Sequence, residues 1–92
     1  MGVYCGMRFP EEVTGDVQNR LARIEGQVRG LRRRLDDGKD CKDVVTQLSA
    51  VQAALDRVGF RLMSAGLRHC IDDPEGAGMD PAEMERLFLK LT

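Results

Sequence analysis

Apolar residues in this chain recur in alternating steps of four and three. Val17, Leu21, Ile24, Val28, Leu31 and Leu35 form one such series, the seam by which a helix packs against another helix. The series predicts a first helix that stops near "DDGKD". There Gly38 can take the left-handed conformation that ends a helix and Asp40 can cap the next one. After Asp40 the rhythm returns in Cys41, Val44, Leu48, Val51, Leu55, Val58 and Leu62, with no proline before Pro74. A long second helix is expected over 41–71, although Gly59 and Gly66 each cost it about 1 kcal/mol relative to alanine. "DDPEGAGM" reads as a loop. In the following "DPAE", Asp80 is the expected cap and Pro81 the first helical residue. Met84, Leu87, Phe88 and Leu91 make the apolar face of a third helix. Residues 1–13 are expected to be a mobile tail and 14–92 a single all-α domain.

The 92 residues allow one domain with a modest core, so partner chains are expected. Only 4% of residues are aromatic and 32% are charged, which suits helices better than a β-sandwich. Three cysteines, an odd number, do not make a secreted disulfide scaffold. Reduced thiols in a cytoplasmic protein fit better. "MGVYCGMRF" has no apolar run of the length a signal peptide or membrane span needs, so no membrane partner is expected.

The net charge of −1 conceals a segregation. Between Gly15 and Leu35, Arg20, Arg23, Arg29, Arg32, Arg33 and Arg34 outnumber Asp16 and Glu25 by four. From Ile71 onward the acids outnumber the bases by four. The basic ridge has no interleaved aromatics, which suits phosphate contacts along a duplex better than stacking on single strands. A solvated helix face explains the charge equally well. No helix-turn-helix or zinc-finger spacing is present. Nor is there a Ser/His/Asp arrangement, a paired-carboxylate motif or a phosphate-binding glycine loop, so an enzyme is not expected.

On a continuous second helix, Cys41 and Cys70 lie 29 residues apart, about 43 Å at 1.5 Å per residue. They cannot meet within one chain. Their midpoint falls between Leu55 and Asp56, so two such helices crossing antiparallel there would set Cys41 of one chain beside Cys70 of the other. A two-fold dimer makes two of these sites. Spacing leaves open whether the cysteines are such a pair or small apolar residues of a helical core. His69 is one step from Cys70, about 100° around the helix, which reads as a solvated histidine rather than a co-ligand. Cys5 lies in the tail with no partner pattern.

"NRLARIEGQVRGLRRRL", "CKDVVTQLSAVQAALDRVGFRLM" and "LRHC" resemble the CsoR/RcnR family of bacterial effector-sensing transcriptional repressors over roughly residues 16–71. The resemblance implies a three-helix protomer with a long helix 2, an antiparallel dimer and a disc-shaped homotetramer that binds operator double-stranded DNA. It implicates Arg20 and Arg57 in DNA binding, to which Arg23 and Arg29 are added on physical grounds.

Copper sensors of the family hold Cu(I) with a cysteine at the start of helix 2 and a His-x-x-x-Cys from the partner. Cys41 and Cys70 match the cysteines, but the histidine position is Gly66. Two thiols without that histidine resemble the persulfide-sensing branch, the CsoR-like sulfurtransferase repressors (CstR). The expectation is a repressor released when Cys41 and Cys70 of two chains are bridged by reactive sulfur, with no cofactor required. The alternative effector is Cu(I) on the same thiolates, with His69 or Cys5 as a candidate third ligand. An alternative of another class is a helical metal- or thiol-binding oligomer that does not bind DNA.

Overall fold

The computed structural model describes residues 8–72 and 81–91, and these form three helices and no strand: α1 (Glu11–Asp36), α2 (Cys41–Asp72) and α3 (Pro81–Leu89). The protein is a rod of 53 × 24 × 22 Å, its length set by the 32-residue α2. The loop expected at "DDPEGAGM" and the cap expected from Asp80 lie outside the described residues beyond Asp72. So does the tail expected at the N-terminus, over residues 1–7.

The expected boundary of that tail is corrected. Helix α1 begins at Glu11, and Val13 is 5% exposed, a core residue. Pro10 opens the helix with ψ at 153°, and its carbonyl accepts hydrogen bonds from the Val13 and Thr14 N–H groups, each 3.0 Å. No side chain caps this end. Glu11 and Glu12 instead place negative charge against the positive end of the helix dipole, and Arg33 and Arg34 complement the other end.

The turn between α1 and α2 forms as the sequence predicts. Gly38 adopts φ +68°, and the Lys39 N–H bonds back to the Arg34 carbonyl at 3.0 Å. Asp40 then caps α2, its Oδ1 accepting the Asp43 N–H at 2.9 Å. A left-handed residue with a side chain costs about 1–2 kcal/mol. Gly38→Ala is therefore expected to destabilise the fold by about 1 kcal/mol, visible as a lower thermal midpoint by circular dichroism, without weakening any side-chain packing.

Helices α1 and α2 lie side by side over a narrow core. Val13, Val17 and Ile24 pack against Val51 and Val58, and half-buried Leu21, Ala54, Leu62 and Ala65 close the layer. The apolar seam does not run the whole length of α1. Val28 is 39% and Leu35 61% exposed, because α2 meets this end of α1 through polar groups. Arg34 Nε pairs with Asp43 Oδ1 at 3.2 Å, and Gln47 Nε2 donates to the Gln27 carbonyl at 2.9 Å. Gly30 lets these side chains approach, since a Cβ there would stand 3.2 Å from Arg34 Nη1 and 3.4 Å from Gln47 Nε2.

On α2 the apolar series divides between two faces. Val51 and Val58 are buried against α1, whereas Leu48 and Leu55 remain 42% and 46% exposed. Helix α3 packs on α2 through buried Met84. Phe60, Leu87, Leu89 and Leu91 stay exposed beside it, Leu91 lying in the turn that follows α3. Among the described residues no helix is long and apolar enough to cross a membrane.

Candidate functional site

The arginines are sorted into two places by the packing of α1 on α2. Arg20 of α1 and Arg57 of α2 line one shallow pocket, together with Asp56, Phe60, Arg61 and Ser64. Arg29 lies elsewhere, with Arg32 and Arg33 in an open groove at the C-terminal end of α1. Arg23 is exposed and lines neither. Two of the four arginines singled out in the sequence thus converge, and they come from different helices.

Beside this pocket stands a three-residue ion cluster. Asp16 Oδ2 accepts hydrogen bonds from Arg20 Nε and Arg61 Nε, each at 3.1 Å. The first bond is local, one turn along α1. The second spans 45 residues and ties α1 to α2. The Arg61 guanidinium, and after it that of Arg20, holds the Asp16 carboxyl below the usual carboxylate range, outweighing an opposing effect of desolvation. At neutral pH this carboxylate is ionised and both hydrogen bonds are charge-assisted. Sequence reading missed Arg61. The signal was present, because Arg61 follows Arg57 by four residues and a helix places such residues on one face.

Cys41 is the first residue of α2, exposed and free. Cys70 belongs to the last turn of the same helix. The unbroken helix between them keeps their backbones about 43 Å apart, and they do not meet within the chain. The side chain of Cys70 and the whole of Cys5 lie outside what is described. His69 is half-buried near the start of α1, in a pocket it shares with Glu12, Arg61, Arg68 and Asp72. It stands at the opposite end of α2 from Cys41. Among the described residues no three His, Cys, Asp or Glu side chains are grouped to hold a metal ion.

Gly66 is buried and lines an apolar groove with Leu55, Met63, Met84 and Phe88. No imidazole stands one turn before Cys70. Of the Cys/His/Cys set that the resemblance implies, the sequence has Cys41 and Cys70 and carries Gly66 at the histidine position.

Comparison with known proteins agrees with this arrangement of helices. Residues 14–90 match the family described as metal-sensitive transcriptional repressors. The copper-sensing transcriptional repressor CsoR of Bacillus subtilis is 42% identical over 62 residues, 67% of this chain and 61% of that protein. The copper-sensing transcriptional repressor RicR of Mycobacterium tuberculosis is 50% identical over 52 residues, 56% of this chain and 54% of that protein. The chain therefore matches less than two thirds of the length of either relative. Both are transcriptional repressors. The crystal structure of the copper-sensing repressor CsoR with Cu(I) from Geobacillus thermodenitrificans superposes with a TM-score of 0.74 at 35% identity, covering 97% of this chain and 94% of that one.

Proposed function

The chain belongs to the family of metal-sensitive transcriptional repressors, and from that premise we propose that it represses transcription in the cytoplasm as a homo-oligomer on operator DNA. Reactive sulfur species release it by joining Cys41 of one copy to Cys70 of another. Buried Gly66 carries this reading. At the position where copper sensors of the family hold a histidine, this chain has no side-chain donor atom, and two facing thiols need no imidazole to be oxidised.

The chemistry balances with a persulfide as the only oxidant. The Cys41 thiolate attacks the outer sulfur of a low-molecular-weight persulfide, which leaves as its thiol, and Cys41 becomes a persulfide. The Cys70 thiolate of a second copy then attacks the inner sulfur. A Cys41–Cys70 disulfide forms and hydrogen sulfide departs, carrying the electron pair of the broken S–S bond. Antiparallel pairing of two α2 helices about the Leu55–Asp56 midpoint supplies the facing cysteines, and the exposed Leu48 and Leu55 supply an apolar surface for it. Arg20 and Arg57 would take DNA phosphates.

A second reading, Cu(I) as effector, is favoured by the copper-sensing relatives and by the sulfur content of the groove. Cys41 and Cys70 of two copies would hold the ion, and Met63 and Met84, which line the groove with Gly66, carry soft thioether donors. One experiment separates the readings: anaerobic fluorescence binding of the reduced protein to the operator from its own promoter, titrated with cysteine persulfide and separately with Cu(I). Release by persulfide, with a covalent dimer in non-reducing mass spectrometry, is expected. Release by one Cu(I) per protomer with persulfide inert would establish copper instead. Absence of salt-dependent duplex binding would leave a helical oligomer of another function.

A further inference from the structure

The geometry points to Arg61 as a third phosphate-binding arginine beside Arg20 and Arg57, with Asp16 as the positioning residue that holds Arg20 and Arg61 ready for the DNA backbone. This rests on the repressor reading and adds two residues to it.

Three observations support the assignment. Arg20, Arg57 and Arg61 line one pocket, where Asp56 is the only acid among the lining residues. Three arginines from two helices therefore line a common space, and the nearby carboxylates, Asp56 in the lining and Asp16 beside it, do not fully balance their charge. Next, Asp16 engages Arg20 and Arg61 through Nε alone and with a single oxygen, Oδ2. A guanidinium offers five N–H donors in a planar fork. The bond to Asp16 uses one of them on each residue, and among the described residues neither arginine has another ion-pair partner. The terminal amino groups keep their donors for phosphate oxygens. Finally, all three members of the cluster are more than a third exposed, Arg20 at 42%, Arg61 at 39% and Asp16 at 37%. Solvent, and so a duplex, reaches them, and exposed ion pairs of this kind add little to fold stability.

What Asp16 contributes is order. Two long, flexible side chains on separate helices are restrained before DNA arrives, so less rotamer freedom is lost when phosphates bind. This makes a prediction opposite in sign to simple charge counting. Asp16→Asn removes a negative charge beside a polyanion, and by charge alone should tighten binding. If Asp16 positions the arginines, the variant binds more weakly.

The test uses the reduced full-length chain in its native assembly with a fluorescently labelled duplex from its own promoter, titrated across a range of salt concentrations, with thermal melts in parallel. Arg61→Gln is expected to lower the slope of log affinity against log salt by about 0.9 for each phosphate the protein no longer neutralises. Asp16→Asn is expected to weaken binding about tenfold at fixed salt, the lower end of what one hydrogen bond to a charged group is worth. Should Arg61→Gln fail to fold, Arg61→Lys decides. It keeps the charge and the salt slope, but as a point charge it cannot span Asp16 and a phosphate together, so its affinity falls. An unchanged slope in Arg61→Gln, an undiminished affinity in Arg61→Lys, or tighter binding by Asp16→Asn overturns the inference while the repressor reading stands. A wild-type protein that ignores duplex DNA overturns that reading, and this inference with it.

Discussion

Cys70→Ala is expected to bind operator DNA as the wild type does and to be insensitive to cysteine persulfide. In the wild type, bridging the two cysteines should weaken operator binding about 5- to 150-fold, the range that one to three kcal/mol of coupling between sites produces. The variant loses that response because the persulfide formed on Cys41 has no second thiol to displace hydrogen sulfide. Non-reducing mass spectrometry should then find a single chain carrying one added sulfur atom on Cys41, where the wild type forms a covalent dimer. Cys41→Ala should fail one step earlier and gain no sulfur at that end of α2. If Cys70→Ala were released from DNA as readily as the wild type, the bridge would not be the signal, and modification of Cys41 alone would have to be.

The second large effect is expected at Leu55. This side chain is 46% exposed, half way along α2 and next to the point about which an antiparallel partner would rotate. Leu48, at 42% exposed and two turns earlier on the same face of the helix, continues the uncovered apolar surface. In a two-fold pairing through this face the two copies of residue 55 approach one another. Leu55→Glu would set two carboxylates against each other in a dry interface. Burying one uncompensated charge costs about 3–5 kcal/mol, and this variant introduces two per dimer. It should sediment as a monomer at micromolar concentration, with weaker helical signal and weaker duplex affinity together. A Leu55→Glu protein that sediments like the wild type would show that the helices pair through a different surface.

Much of the fold could be read from the pattern of residues, and what escaped did so for identifiable reasons. Gly38 and Asp40 announced the turn because each needs a particular backbone geometry that few other residues supply. Pro81 announced α3 in the same way. The start of α1 was misplaced although Val13 stands one turn before Val17 and continues the same stripe; Pro10 opens the helix without a side-chain cap, so the familiar signal was missing. On α2, periodicity identified Val51, Val58, Leu48 and Leu55 alike as apolar, but could not divide them between α1 and a surface left uncovered. That division depends on which helix lies alongside.

The candidate site was legible unequally. Cys41 and Cys70 could be placed at opposite ends of a helix from spacing alone, and the unbroken α2 agrees. Arg20 and Arg57 came from family resemblance, since charge alone marked Arg23 and Arg29 just as strongly. Packing brings the first two into one pocket and leaves the others outside it. The Asp16–Arg61 hydrogen bond spans 45 residues, and its existence follows from how α1 lies along α2. No local pattern encodes that.

The length of α2 has a genetic corollary. Because a single 32-residue helix holds its two cysteines at opposite ends, the bridge proposed above would make sensing a property of pairs of chains. A subunit lacking Cys41 and a subunit lacking Cys70 would each be inert with their own kind, yet a mixed pair would retain one complete site, built from the cysteine each still carries. Two alleles that are separately blind to the effector would therefore restore the response when present in one cell.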